Sequence, residues 1–369
     1  MSGPDPAVRV PEARADKLAA GVAELGLDAL IVGDLVRPGD SGREAMADVS
    51  WLTGFRGSSG LAVVGAEIRV FLTDFRYAEG ARELLPTSFE VVEVSAKIVP
   101  RLAELLSGRV GLDEGKTSVE THRRLTGEVG DGVELVAAEG LLEGLRRVKD
   151  ESEVAAIAQA ARLTDEVYAY IEEQGLAGRS EREVALAAEA QMRELGAEGP
   201  SFASIVAAGA NGSSPHAVPG SREIERGDYV VVDMGAIVDG YCSDCTRTLV
   251  DGEPDPAQRE VYEIVLSAQL AGLEAVRAGA SGPAVDAVAR ELIAEAGHGE
   301  RFGHGLGHGV GIEIHEPPRV SKSSEDELMA GDIVTVEPGI YVPGEFGVRI
   351  EDLVVVTEDG HRNLSSYPK

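Results

Sequence analysis

Over the first third of the chain, short apolar runs alternate with stretches of helical periodicity. The runs fall at Ala29–Val32, Leu61–Val64, Arg69–Leu72, Glu90–Val94 and Val110–Leu112, and the helical patterns include Arg14–Leu25 and Val99–Ser107. Such alternation predicts a small α/β domain on a largely parallel or mixed sheet. Leu141 to Lys149 reads as a junction. Asp150-Glu-Ser-Glu153 then opens a long amphipathic helix to about Gln174. A second helix is expected from Glu181 to Leu195, with Ser180 and Glu183 as its capping box. Beyond Ser201 come further strands and two helices, about Asp255–Ala278 and Gly282–Glu295. The expected layout is an α/β domain over residues 1–140, of which 1–13 are flexible, and an α+β domain over 141–369.

Within the second domain the periodicity becomes that of paired strands. Tyr229-Val-Val-Val-Asp233 is an apolar β-rich run, Val238-Asp239-Gly240 a turn signal, and Tyr241 to Leu249 a returning strand. A hairpin centred between Val238 and Asp239 places Asp233 opposite Asp244. Centring it on Asp239-Gly240 shifts the pairing by two residues, and both aspartates keep the same face because the side-chain period is two. Their Cβ atoms would then be roughly 5 Å apart, or one diagonal step further. A second hairpin runs from Ile333 through Glu337, turns at Pro343-Gly344-Glu345, and returns through Val348-Arg349-Ile350-Glu351. Glu337 and Glu351 are symmetric about Gly344, and Arg349 shares the face of Glu351.

Between the hairpins lies Gly303-His304-Gly-Leu-Gly-His308-Gly-Val-Gly311, followed by His315. Each glycine costs a helix about 1 kcal/mol relative to alanine. The segment is therefore read as extended, with small residues that let the backbone approach a site closely. His216 sits upstream in the proline-bounded loop Ser213-Ser-Pro-His-Ala-Val-Pro219.

Composition narrows the function. The 369 residues suffice for two cores, and 43% hydrophobic content agrees with globular folding throughout. A formal net charge of −30 argues against nucleic acid or an anionic membrane as partner, since both repel an acidic surface. No apolar run approaches the roughly 18 residues of a membrane span, and Met1 to Arg14 lacks a signal-peptide core, so a cytoplasmic protein is expected. The two cysteines form Cys242-Ser-Asp-Cys245. Residues three apart on a strand face opposite sides, so this pair is assigned to packing rather than to redox or zinc chemistry.

Asp233, Asp244, His308, Glu337 and Glu351 are typed and spaced like the ligands of a two-metal hydrolase. Four carboxylates brought together raise one another's pKa sharply unless cations neutralise them. A carboxylate-dominated set suits Mn²⁺ and similar hard divalent ions, with Co²⁺ or Zn²⁺ as alternatives. Two ions about 3.5–4 Å apart, sharing a water, are expected.

The stretches Val232-Asp233-Met-Gly235, Ser243-Asp244-Cys-Thr-Arg247-Thr248, Gly303 to Gly311, Val336-Glu337-Pro-Gly-Ile-Tyr341 and Val348-Arg349-Ile350-Glu351-Asp352 resemble the ordered motifs of the pita-bread metallopeptidases. The resemblance is to the proline-specific branch, the Xaa-Pro dipeptidases (prolidases) and Xaa-Pro aminopeptidases. Trp51-Leu-Thr-Gly-Phe-Arg-Gly-Ser-Ser-Gly60 is similar to the creatinase-type N-terminal domain of that branch. The resemblance implies a pita-bread catalytic domain behind a creatinase-like α/β domain. It makes Asp233, Asp244, His308, Glu337 and Glu351 the metal ligands, with Asp244 and Glu351 bridging and Glu337 also the proton acceptor. It further implies substrate-contacting or oxyanion-stabilising roles for His216 and His315, a substrate-side role for His304, and supporting or pocket roles for Arg349 and Tyr341. A homodimer is implied by the resemblance only.

The leading expectation is a dinuclear peptidase acting on the bond between an N-terminal residue and proline, leaning to Xaa-Pro aminopeptidase, with prolidase as the alternative. The rival of a different class is an inactive peptide-binding module of the same fold. Such modules lose ligands, whereas all five positions are filled here.

Overall fold

A computed structural model describes residues 12–33, 46–94, 98–138 and 140–369. The chain forms two compact units, Met1–Arg146 and Arg147–Lys369. The flexible start expected at residues 1–13 lies, as far as residue 11, outside the described residues; Ala13 already opens the first helix, Ala13–Glu24.

The first unit is built on a six-stranded mixed sheet. Its strands lie in the order Glu90–Glu93, Arg69–Thr73, Gly60–Val64, Ala29–Val32, Gly108–Leu112, Val133–Ala137. Gly60–Val64 runs antiparallel to both neighbours, while the outer pairings are parallel. The central strands are buried along their whole length, which explains their continuous apolar runs. Val133–Ala137 escaped the sequence reading because it is an edge strand with none of its residues fully buried. Leu141–Arg147 closes the unit: Leu142 and Arg146 are buried, and the Arg146 guanidinium pairs with buried Asp48 at 2.7 Å.

The second unit packs two helices against antiparallel strands twice over. Glu151–Gln174 and Glu181–Glu194 each begin on a capping box, at Asp150/Glu153 and Ser180/Glu183, and bury one face against Val230–Met234 and its neighbours. Pro256–Ala275 and Gly282–Glu295 do the same against Ile333–Val336, Phe346–Arg349 and Asp352–Val356. The α+β class expected for this domain is thus observed. No helix among the described residues is long and apolar enough to cross a membrane.

Both ribbons form, each with a break at the position that matters. In the first, Val238 pairs with Tyr241 around Asp239-Gly240, both at positive φ (49° and 80°). The register is the shifted alternative: Asp233 pairs with Thr246, and Asp244 follows one diagonal step away. At the break, a Cβ on Gly235 would lie 1.8 Å from the Ser243 carbonyl oxygen, so only glycine fits. In the second ribbon, Ile340↔Val348 and Val336↔Asp352 share one register about Gly344. Glu337 and Glu351 sit where the ribbon passes from the five-stranded sheet, which holds Ile333–Val336 and Asp352–Val356, into the two-stranded one of Gly339–Val342 and Phe346–Arg349.

Candidate metal centre and substrate cleft

One cleft of about 680 Å³ in the second unit is lined by Asp233, Asp244, His308, Glu337 and Glu351. Its tightest group is Asp244, His308 and Glu351, whose ligand atoms all lie within 4.8 Å of one another. His308 Nε2 is 3.6 Å from Asp244 Oδ2 and 3.3 Å from Glu337 Oε1. His308 Nδ1 donates to its neighbour's carbonyl, Gly309 O, at 3.1 Å, which leaves the Nε2 lone pair facing the carboxylates.

The backbone that presents His308 is the glycine segment. Gly307–Gly309 is a strand between Glu316–Val320 and Ile333–Val336. A Cβ on Gly307 would sit 2.0 Å from Thr335 O, and one on Gly309 2.3 Å from Pro317 O. Small residues are needed here for close approach, as the sequence suggested.

Arg349, 4% exposed, ties the carboxylates together. Its guanidinium donates to Asp233 Oδ2 at 2.7 Å, Thr246 Oγ1 at 3.0 Å, Tyr341 OH at 2.8 Å and Pro215 O at 3.1 Å. Thr246 Oγ1 in turn donates to Glu351 Oε2 at 2.7 Å, and Thr335 Oγ1 donates to Glu337 Oε1 at 3.1 Å. Both threonines were missed in the sequence, although each stands two residues from a ligand candidate and so shares its strand face.

Burial dominates the electrostatics. It pushes the Asp244 and Glu351 carboxyls well above their usual range, reinforced by repulsion from the neighbouring carboxylates. Glu337 is raised to about 7 by burial, with Arg349 pulling the other way. Burial lowers His308 to about 3 and His304 to about 4, so both imidazoles are neutral at pH 7. Two carboxylate oxygens, Asp233 Oδ1 and Glu351 Oε1, are buried and accept no hydrogen bond among the described residues. An oxygen of that kind is costly unless a cation or donor meets it. The donor set and its unsatisfied atoms therefore fit hard divalent cations.

The remaining candidates are arranged around this group. His216, His304, His315 and Arg349 line the same cleft. The His315 ring stands edge-on to His308, centroids 4.4 Å apart. Both ring nitrogens of His304 are engaged, Nδ1 with Gly305 O at 2.7 Å and Nε2 with Tyr341 OH at 3.0 Å. Tyr341 is buried and stands behind the wall, bridging His304 and Arg349 rather than facing the cavity. Cys242 and Cys245 are buried and form no disulfide with each other; they lie on two different strands, with their thiols turned to Ile312 O and Glu351 O. Arg319, exposed on the cleft wall, is the direct cross-strand partner of His308. Its place depends on a β-bulge between His308 and Gly309, a feature that spacing does not reveal.

Comparison with known proteins agrees with this geometry. Residues 155–358 match the model of metallopeptidase family M24, and residues 14–148 match the creatinase/prolidase N-terminal domain. A Xaa-Pro dipeptidase of Pyrococcus furiosus is 46% identical over 225 residues, covering 61% of this chain and 65% of its own. Among solved structures, a Xaa-Pro dipeptidase from Bacillus anthracis superposes with a TM-score of 0.90 at 35% identity, over 97% of this chain and 98% of that one. An X-Pro aminopeptidase from Thermotoga maritima gives 0.86 at 36% identity, over 95% and 98%. With both domains and the fold in agreement, the chain belongs to metallopeptidase family M24.

Proposed function

We propose that the protein is a dinuclear metal-dependent peptidase that hydrolyses the bond between an N-terminal residue and proline, with Xaa-Pro dipeptides as its preferred substrates. The observation that carries the reading is the cleft in which Asp244, His308 and Glu351 converge beside two unsatisfied carboxylate oxygens. Asp233, Asp244, His308, Glu337 and Glu351 would hold two divalent ions, Mn²⁺ by the donor set. Bound there, such ions supply an acidified water and polarise the scissile carbonyl.

The chain's own groups do the rest. Glu337 Oε1, steadied by Thr335, accepts a proton from the attacking water and passes it to the departing proline nitrogen. His315, exposed on the cleft wall, donates to the oxyanion that develops on the carbonyl oxygen. His216 meets the substrate from the opposite loop. His304 serves as a rigid wall, since both its nitrogens are already bonded. A proline imide has no N–H, so selection rests on shape, for which Phe202, Ile205, Val218 and Ile314 supply an apolar surface.

The sequence alone leaned to an aminopeptidase. Two features support the dipeptidase instead: the Pyrococcus and Bacillus relatives are Xaa-Pro dipeptidases, and Arg319 lines the cleft. A dipeptidase has to neutralise the free proline carboxylate inside its cleft, and the exposed Arg319 guanidinium on the wall suits that task. The aminopeptidase reading keeps the support of the Thermotoga structure. Measuring kcat/KM for Xaa-Pro against Xaa-Pro-Yaa on Mn²⁺-loaded protein decides between them. Faster turnover of the tripeptide overturns the dipeptidase, and turnover of neither overturns the proline assignment.

A further inference from the structure

Glu181 is 1% exposed and stands at the first position of the helix Glu181–Glu194. A carboxylate buried so deeply requires partners, and its partners lie on another part of the chain. Its Oε1 accepts from the Ala208 amide at 2.8 Å. Its Oε2 accepts from the Gly220 amide at 2.9 Å and from Asn211 Nδ2 at 2.9 Å. Ala208 ends the strand Ile205–Ala208, and Gly220 lies just past Pro219, so one carboxylate joins both ends of the loop that carries His216. The helix terminus adds to the joint, with Arg182 N donating to Gly220 O at 3.0 Å and Glu181 N to Arg222 O at 3.1 Å.

The far side of the loop is held separately. Gly344 N donates to Ser213 Oγ at 3.3 Å, and Arg349 donates to Pro215 O at 3.1 Å. Gly347 packs so closely on the loop that a Cβ there would lie 1.9 Å from Gly212 O. His216 and Val218, 79% exposed in the latter case, face the cleft from this loop. Their direction depends on where the base is pinned, and Glu181 pins it.

We propose that Glu181 is a positioning residue for the peptide-hydrolysing site: it fixes the 209–219 loop so that His216 is presented to the substrate. The role of His216 rests on the function proposed above, whereas the carboxylate joint does not. Glu181→Gln keeps the side chain's size but turns one acceptor oxygen into a donor facing other donors. Hydrogen exchange of the amides from 208 to 220 should rise in this variant, with the metal-ligand strands unchanged and Mn²⁺ stoichiometry retained. Its kcat/KM on Xaa-Pro should fall on the order of 10- to 100-fold, as expected for a displaced binding group. In a His216→Ala background the same substitution should cost little more. Asn211→Ala, which removes one donor from the same carboxylate at a half-buried position, should show a smaller change of the same kind and covers the case in which the Glu181 variant fails to fold. Wild-type exchange across 208–220, or an undiminished loss in the His216→Ala background, overturns the proposal. The exchange measurement needs no substrate, so a wild-type protein inert toward Xaa-Pro would count against the peptidase reading and leave the exchange to judge Glu181.

Discussion

Asp233 Oδ2 and the Arg349 guanidinium are 2.7 Å apart, in a site where both side chains are almost fully enclosed. The pair is one arm of a fork whose other arms reach Thr246, Tyr341 and Pro215. A lysine at this position offers one point charge in place of a planar fork. Arg349→Lys should therefore weaken Mn²⁺ binding and activity by roughly 10- to 100-fold, the usual effect of removing a partner that orients metal ligands. Titration of the metal-free variant by calorimetry measures it, and unchanged affinity would remove Arg349 from the ligand-orienting role.

Asp244 shares the tightest cluster with His308 and Glu351. Asp244→Ala should abolish both metal retention and hydrolysis while leaving the fold intact, since it removes a repelling buried carboxylate rather than a packed apolar group. Elemental analysis alongside circular dichroism tests this. An active variant that still retains its metal would contradict the ligand assignment.

The pH dependence of metal binding follows from Glu337. In the metal-free protein its carboxyl holds a proton to about pH 7, against 4.5 for the free side chain. A raised folded value means this group costs stability as pH climbs from about 4.5 to about 7, with the full cost above that; Asp244 and Glu351 act in the same sense. His308, lowered from 6.5 to about 3, is already neutral and releases no proton on binding. Affinity for Mn²⁺ should then rise with pH up to at least about 7, with proton release on binding over that range. Calorimetry in buffers of different ionisation enthalpy reads the proton directly. A flat affinity across this range would show that Glu337 is ionised without metal.

Arg319 offers a separate handle on substrate choice. Arg319→Ala should lower kcat/KM for Xaa-Pro by about 10- to 100-fold, the scale of one lost charge-assisted hydrogen bond of roughly 1.5–3 kcal/mol. Hydrolysis of Xaa-Pro amide, which has no carboxylate, should change little. Equal losses on both substrates would place Arg319 outside carboxylate recognition.

Behind the cleft, Arg247 and Asp352 form an ion pair at 2.9 Å with 2% and 0% of their side chains exposed. Arg247 also donates to Tyr367 O at 2.7 Å and Pro368 O at 3.0 Å. Arg247→Ala leaves a buried carboxylate short of its main partner and should destabilise the protein by about 3–5 kcal/mol. Urea unfolding at neutral pH measures the loss, and a change under about 1 kcal/mol would show that Lys369 and Asn363 suffice for Asp352.

The parts of the site that could be read in the sequence are those governed by strand periodicity. The symmetry of Glu337 and Glu351 about Gly344, and the shared face of Asp233 and Asp244, follow from a period of two and a turn of known residues. The same rule would have found Thr246 and Thr335. Arg319 was invisible because a bulge decides its partner, and Glu181 because its carboxylate bonds to a loop some thirty residues away. For Tyr341 the resemblance left a supporting and a pocket role open; its place behind Arg349 is a matter of a hydrogen-bonded chain through the wall, which leaves no trace in spacing. The edge strand Val133–Ala137 shows the converse problem: half-exposed strands carry too weak an apolar signal to stand out.

Asp233 and Asp244 are anchored on the core that the helices Glu151–Gln174 and Glu181–Glu194 cover, whereas His308 lies on, and Glu337 and Glu351 directly flank, strands packed by Pro256–Ala275 and Gly282–Glu295. A cation seated among them would act as a rivet, fastening two independently packed hydrophobic bodies at the seam. Any drift of one body along the other would then register first as a lost ion, well before either one melts.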